Sequence, residues 1–333
     1  MKVAFLVSSV DDPSARLRVI QYFPYFQKQG WDVKILIFPG NMQQRFRLFF
    51  SLKEFDLVIL QRRLLTLINW KLLRKNSKLI GFDFDDAIMF RDSSKRKQKS
   101  LMRKQKFARI IKGSDFILAG NHYLKDYATR HNKNVFTVPT PIDLKRYRRK
   151  DYSQNSNNKV TLGWIGSSST VFYLERLKHI WDKVFIRYPN TRLKIIADKF
   201  FHCEKMPIVM KKWNYNDELN DLHTFDIGLM PLTDDIWSKG KCGFKLLQYM
   251  AAGIPVICSP VGVNKEIVTH EVNGFLVENE NEWLDSIGKL VKDYRLRETM
   301  GKQAFKTVND YYSLGIWAPR LIKILKNNIS QCR

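Results

Sequence analysis

The sequence predicts an α/β protein made of two doubly wound, parallel-sheet domains facing each other across a cleft. Three observations predict it. Short apolar runs alternate with helix-like amphipathic stretches along both halves of the 333 residues, the order expected of βαβ units. A polar, aliphatic-free stretch, Lys150-Asp-Tyr-Ser-Gln-Asn-Ser-Asn-Asn-Lys159, separates the halves as a linker would. Small-residue loops then follow several apolar runs and open helices, the layout in which parallel sheets bind phosphorylated ligands.

In the first half, residues 3–7 read as a buried strand, 14–29 as a helix ended by Gly30, and 32–38 as a second strand. A basic amphipathic stretch follows at 42–52, then strands at 57–60 and 78–84, each leading into helical sequence. Residues 116–119 form a strand before a helix that starts at Asn121, and 134–138 close the half. The pattern restarts after the linker with a strand at 160–165, a helix at 170–188 and strands at 192–197 and 205–212. A helix at 217–224, a strand at 227–230, a helix at 244–252, a strand at 255–259 and an apolar segment at 274–277 lead to terminal helices. Right-handed crossovers place the loops after each strand along one edge.

Composition bounds the chemistry. A 44% hydrophobic chain of this length can fill two cores. Cys203, Cys242, Cys258 and Cys332 form no CxxC pair, which argues against structural zinc or a disulfide framework and for a reducing compartment. The apolar start is too short for a signal peptide and meets Asp11-Asp12 at once, and no apolar run is long enough to span a bilayer. A cytoplasmic protein is expected.

A net charge of +25 opposes compactness unless a polyanion or anionic surface relieves it. The charge is concentrated between Lys95 and Lys112, where nine cations stand without an acid. Leu101, Met102, Phe107, Ile110 and Ile111 are spaced there roughly as one helical stripe, so a solvated helix face and an anionic membrane surface both fit. Nucleic acid is not expected as a partner, because no RNP, zinc-finger or KH signature accompanies the charge.

Several constellations could carry chemistry. The longest is Gly240-Lys-Cys-Gly-Phe-Lys-Leu-Leu-Gln-Tyr-Met-Ala-Ala-Gly-Ile-Pro-Val-Ile-Cys-Ser-Pro-Val-Gly262, a loop, helix, glycine stop and strand followed by a second small-residue loop. Lys241 and Lys245 flank its helix start, where a cation opposes the dipole unless an anion sits there; two solvated lysines are the alternative. Gly163-Trp-Ile-Gly-Ser-Ser-Ser-Thr170 suits close approach of backbone to phosphate, although Ser169 or Thr170 could equally cap a helix. Phe82-Asp-Phe-Asp-Asp-Ala87 offers Asp83, Asp85 and Asp86 for Mg²⁺ binding, hydroxyl binding or base chemistry, or one of them as a helix cap, with hydroxyl binding favoured. Arg16 and Arg18 after the first strand fit a phosphate or carboxylate as well as a structural salt bridge, and Gln61-Arg-Arg63 has the same ambiguity. His122 reads as a polar contact or a catalytic group.

Taken together, Gly163-Trp-Ile-Gly166, Phe225-Asp-Ile-Gly-Leu-Met-Pro231, the long motif, Asn273-Gly-Phe-Leu276 and Leu296-Arg-Glu-Thr-Met-Gly301 resemble retaining GT-B glycosyltransferases of the glycosyl transferases group one family. The first half is more loosely similar, through Ser14-Ala-Arg-Leu-Arg18, Asp83-Phe-Asp-Asp-Ala87 and Pro139-Thr-Pro-Ile-Asp143. The resemblance implies two Rossmann-like domains: an acceptor-binding one over 1–150, a linker at 151–158 and a donor-binding one over 159–312. It also implies that 313–333 returns to the first domain. It implies a nucleotide-sugar co-substrate, no other cofactor, no metal and a glycan or lipid-linked acceptor.

Donor-binding residues are then Gly166, Ser167, Ser168, Thr170, Lys241, Cys242, Gly243, Phe244, Lys245 and Gln248; acceptor-binding residues are Arg16, Arg18, Asp83 and Asp86. Asp85 and Lys245 take the catalytic roles. The family's two glutamates fall on Gly240 and Gln248, and its basic pair in the first loop is replaced by Ser167-Ser-Ser-Thr170, leaving Lys241 and Lys245 to neutralise the diphosphate. A sugar-nucleotide epimerase and a degenerate binding protein are the rival readings.

Overall fold

The computed structural model describes residues 1–152 and 159–331, so most of the expected linker lies outside the described residues. Contacts divide the chain into two units: Met1–Pro141, Asp235–Cys242 and Leu314–Arg333 form the first, and Ile142–Asp234 with Gly243–Ser313 the second.

The first unit runs β1 (Lys2–Val7), α1 (Pro13–Arg18), α2 (Phe23–Lys28), β2 (Asp32–Ile37), α3 (Met42–Ser51), β3 (Leu57–Gln61), α4 (Leu67–Lys75), β4 (Ile80–Phe84), α5 (Leu101–Gly113), β5 (Phe116–Ala119), α6 (His122–Thr129) and β6 (Val135–Thr137). Its strands are parallel in the order β2-β1-β3-β4-β5-β6. Side chains alternate along each strand. Ala4, Leu6, Val58 and Leu60 therefore pack with Phe49, Trp70, Phe107 and Leu124 from α3 to α6. Val3, Phe5, Leu57 and Ile59 pack on the other face with Phe26. The chain winds one way from β1 to β2 and the other way afterwards, so β1 and β3 flank the switch point where a ligand fits.

The second unit runs β7 (Val160–Ile165), α7 (Val171–Glu175), α8 (Lys178–Arg187), β8 (Thr191–Ala197), β9 (Ile208–Lys212), α9 (Glu218–His223), β10 (Ile227–Met230), α10 (Phe244–Ala251), β11 (Val256–Cys258), α11 (Asn264–Ile267), β12 (Gly274–Leu276), α12 (Glu280–Lys292) and α13 (Tyr294–Thr307). Its parallel order is β12-β11-β10-β7-β8-β9, with the switch point between β7 and β10. The last helix, α14 (Leu314–Ser330), belongs to the first unit, where Leu314, Ala318, Leu321 and Leu325 join the core of Val3 and Phe5.

Three expectations need correction. The helix expected at 14–29 is broken into α1, a 3-10 turn at Ile20–Tyr22 and α2, because Val19 leaves the helical region and Pro24 sits in the first turn of α2. The helix expected at 170–188 is likewise two helices, α7 and α8. The boundary expected at residue 150 lies earlier. Lys150 is half-buried in the second unit, its ammonium bonded to the Phe225 carbonyl (2.6 Å) and Asp226 (2.8 Å), and Tyr152 donates to the Gly253 carbonyl. No described helix is long and apolar enough to cross a membrane.

Candidate functional site

The first unit gathers its polar groups where β1, β3 and β4 end. Arg18, on α1, forks onto Asp83 at the end of β4: Nη2 lies 2.6 Å from Oδ1 and Nε 2.9 Å from Oδ2. Its remaining donors reach the Val138 carbonyl (2.9 Å) and Thr140 Oγ1 (3.1 Å). Burial opposes the charge on Arg18, but the Asp83 carboxylate outweighs it and holds the guanidinium pKa above its usual value. Both side chains are nearly inaccessible, at 2% and 6% exposure. Arg18 and Asp83, expected to meet an acceptor, instead saturate each other and tie α1 to the sheet. Arg16 is half-buried on α1.

Asp85 and Asp86 remain at the surface of this cluster. Asp85 Oδ2 accepts from Ser14 Oγ (2.8 Å), Oδ1 lies 3.2 Å from Arg62 Nε, and Arg62 Nη2 donates to Asp86 Oδ2 (2.7 Å). Burial would raise the Asp85 carboxyl pKa; Arg62, then Arg18 and the Ser14 hydroxyl, overcome it and hold the pKa below the ordinary carboxylate value. Arg62 stands just after β3 with φ of 54°, the left-handed region, which costs a non-glycine residue about 1 kcal/mol. Sequence reading marked the arginines here as ambiguous. The backbone conformation that singles out Arg62 has no signature in residue type.

The segment Asp235–Cys242 is pinned to the first unit by Tyr123 Oη on the Ile236 carbonyl (3.1 Å) and Asn121 Nδ2 on the Lys241 carbonyl (2.9 Å). The Cys242 thiol donates to the Asp85 carbonyl (3.0 Å), and burial pushes its pKa well up. Lys241 Nζ lies 3.8 Å from Asp86. Lys241 and Cys242, expected among the donor-binding residues, belong to the first unit by contact. Gly240 packs on Ala87 so closely that an added Cβ would lie 2.6 Å from the alanine Cβ and 2.7 Å from its nitrogen. No carboxylate side chain fits at this position. His122 is exposed at the start of α6.

In the second unit, the loop after β7 meets one ammonium. Lys245, in the first turn of α10, places Nζ 3.2 Å from Thr170 Oγ1 and 4.5 Å from the centroid of the Trp164 ring. A Cβ on Gly166 would run into the buried Trp164 ring and stand 2.8 Å from that Nζ, so glycine lets the loop after β7 pass. Ser167 Oγ bonds Ser169 Oγ (2.8 Å), and the Ser168 N–H donates to Asp198. Gly243 caps α10 without a side-chain acceptor, leaving first-turn N–H groups available. Phe244 is half-buried beside them. Gln248, further along α10, is buried and hydrogen-bonded to the Tyr147 hydroxyl. Sequence reading found the lysine and the loop but missed Trp164 and Tyr147. Among the described residues, no group of three or more His, Cys, Asp or Glu is arranged to hold a metal ion.

Residues 214–307 match the family model described as Glycosyl transferases group 1. N-acetyl-alpha-D-glucosaminyl L-malate synthase of Bacillus anthracis is 25% identical over 220 residues, covering 61% of this chain and 57% of that relative's length. Sucrose-phosphate synthase from Thermosynechococcus elongatus superposes with a TM-score of 0.74 at 14% identity, over 99% of this chain and 100% of that one. Anabaena HepE, solved with UDP and glucose, gives 0.74 at 13% identity over 98% and 99% of the two chains. These structural likenesses show the fold.

Proposed function

We propose, from the premise that this chain belongs to the glycosyl transferases group 1 family and has the GT-B fold, that it transfers a sugar from a nucleotide diphosphate sugar to a glycan or lipid-linked acceptor. Retention of anomeric configuration without a metal ion is part of the proposal. The observation that carries it is Lys245, an ammonium in the first turn of α10 beside the Gly166–Thr170 loop. When the bond between the anomeric carbon and the diphosphate breaks, charge accumulates on the leaving phosphate. A fixed ammonium and free helix N–H groups stabilise that charge more in the transition state than in the bound donor.

Asp85, with Oδ2 accepting from Ser14 Oγ and Oδ1 paired with Arg62, is assigned to orient an acceptor hydroxyl. Its depressed pKa keeps it ionised, so at neutral pH it orients the hydroxyl more readily than it stores a proton. Gln248 is assigned to the ribose hydroxyls, exchanging its bond to Tyr147. The carboxylate-free run from Lys95 to Lys112 is assigned to an anionic membrane face on the cytoplasmic side, in keeping with synthesis of a cell-surface polysaccharide.

Lys245→Ala should weaken nucleoside-diphosphate binding by about 1.5–3 kcal/mol, as for a charged hydrogen bond. Calorimetry with UDP, GDP and ADP measures this, and UDP-glucose is the first sugar donor to try, since HepE was solved with it. Unchanged affinity in the variant would remove the assignment. A catalytically silent nucleotide-sugar binder is the second reading, favoured by the absence of room for a carboxylate at Gly240; donor binding without transfer or hydrolysis would select it.

A further inference from the structure

The helices α3, α4 and α5 follow β2, β3 and β4 and pack side by side on one face of the first sheet, through Phe49, Trp70 and Phe107. Each runs antiparallel to the parallel strands it joins, so all three amino termini lie toward the carboxyl edge of the sheet. Arg103, near the start of α5, confirms this by donating to the carbonyls of Ile88 and Phe90 in the loop after β4. At those amino termini large apolar side chains face solvent: Leu67 and Ile68 on α4 are 48% and 63% exposed, Leu101 and Met102 on α5 73% and 61%, and Met42 on α3 43%, with Phe46 one turn further along at 41% and Phe50 near the carboxyl end at 58%.

The sequence expectation placed Leu101 and Met102 on one stripe with Phe107, Ile110 and Ile111. The last three are wholly buried in the core and cannot leave it. Leu101 and Met102 therefore point elsewhere, with the exposed residues of the neighbouring helices.

What covers this rim is indicated by charge. The three helices carry two, three and five cations, and none contains a carboxylate. From Leu57 to Phe82, and again from Ser93 to Ser114, the sequence has no Asp or Glu. A protein partner would usually need some acid to pair with its own cations, and a second copy of this surface would repel the first. An anionic bilayer meets both features: its phosphates neutralise the cations and its acyl boundary takes the apolar side chains.

We infer that the amino-terminal ends of α3, α4 and α5 form a rim that inserts into an anionic lipid surface. The same edge of the sheet carries Arg62, Asp85 and Asp86, so insertion would bring those groups to the headgroup level, where a lipid-linked acceptor presents its hydroxyls. The inference rests on the membrane-face reading above and narrows the acceptor to a lipid-linked one.

The full chain is tested by co-sedimentation with vesicles of phosphatidylcholine containing phosphatidylglycerol, against phosphatidylcholine alone. Wild-type protein should bind the anionic vesicles, and Leu67→Gln/Ile68→Gln/Leu101→Gln/Met102→Gln should bind them roughly tenfold or more weakly, because the cations alone give only surface attraction. Met42→Gln/Phe46→Gln should act in the same direction and serves if the fourfold variant melts early. Equal binding by wild type and both variants would overturn the rim while leaving the membrane-face reading. Wild-type indifference to anionic vesicles would overturn both. A lipid-free dimer in sedimentation velocity that the fourfold variant abolishes would assign the face to a second copy and overturn the inference. Nucleotide binding measured on the same samples tests the glycosyltransferase reading separately, since none of the substituted side chains belongs to that site.

Discussion

Arg18 decides between a structural and an acceptor-binding role for the first unit's deepest charges. Arg18→Ala would leave the Asp83 carboxylate buried without its partner and strip hydrogen bonds from the Val138 carbonyl and Thr140. Breaking one side of such a pair costs about 3–5 kcal/mol, because a buried charge is left uncompensated. Removing both charges is different. Arg18→Met/Asp83→Leu should recover most of the loss and retain only the cost of the two orphaned neutral acceptors, about 1–3 kcal/mol each at most. Urea unfolding followed by circular dichroism measures all three proteins, with the Michaelis constant for acceptor recorded alongside. An Arg18→Ala protein within about 1 kcal/mol of wild type, but with acceptor binding lost, would refute the structural assignment.

Gly240→Glu, which installs a carboxylate where the family has one, should destabilise the protein by about 1–3 kcal/mol or more, since its Cβ meets the backbone of Ala87; a melting temperature equal to wild type would contradict the packing described. Arg62→Gln should raise the Asp85 carboxyl pKa, read by carbon-13 NMR. The lowered wild-type value contributes stability that is present above the unfolded carboxylate pKa of about 3.9 and is lost as pH falls through the folded value. In the variant that acid-side loss should be smaller and be complete at higher pH, and an unmoved acid limb would exclude Arg62 as the cause.

Periodicity carried most of the architecture, because strand and helix patterns are local. The strands at 57–60, 116–119 and 227–230 lie within a residue of β3, β5 and β10. Long-range contact explains the misses. Lys241 and Lys245 look like one cluster in sequence, but the first answers Asp86 in one unit and the second Thr170 in the other. Gly240 reads as a lost carboxylate, and only its contact with Ala87 shows that the space is filled. Arg62 is recognised by its φ, and φ is not written in an arginine. The five apolar residues of the basic segment read as one stripe, yet at 100° per residue Leu101 and Met102 fall away from Phe107, Ile110 and Ile111.

The assignment of Asp235–Cys242 and α14 to the first unit has a consequence for synthesis. Domains usually fold in the order in which the ribosome delivers them. Here β1 to β6 emerge first, but Leu314, Leu321 and Leu325, which cover Val3 and Phe5, are translated only after every residue of the second unit. The nascent amino-terminal sheet must wait with one face partly bare while the second unit is made. A chain stalled or cleaved before Leu314 would expose that face, and of the two units the one whose strands are made first is the last to be completed.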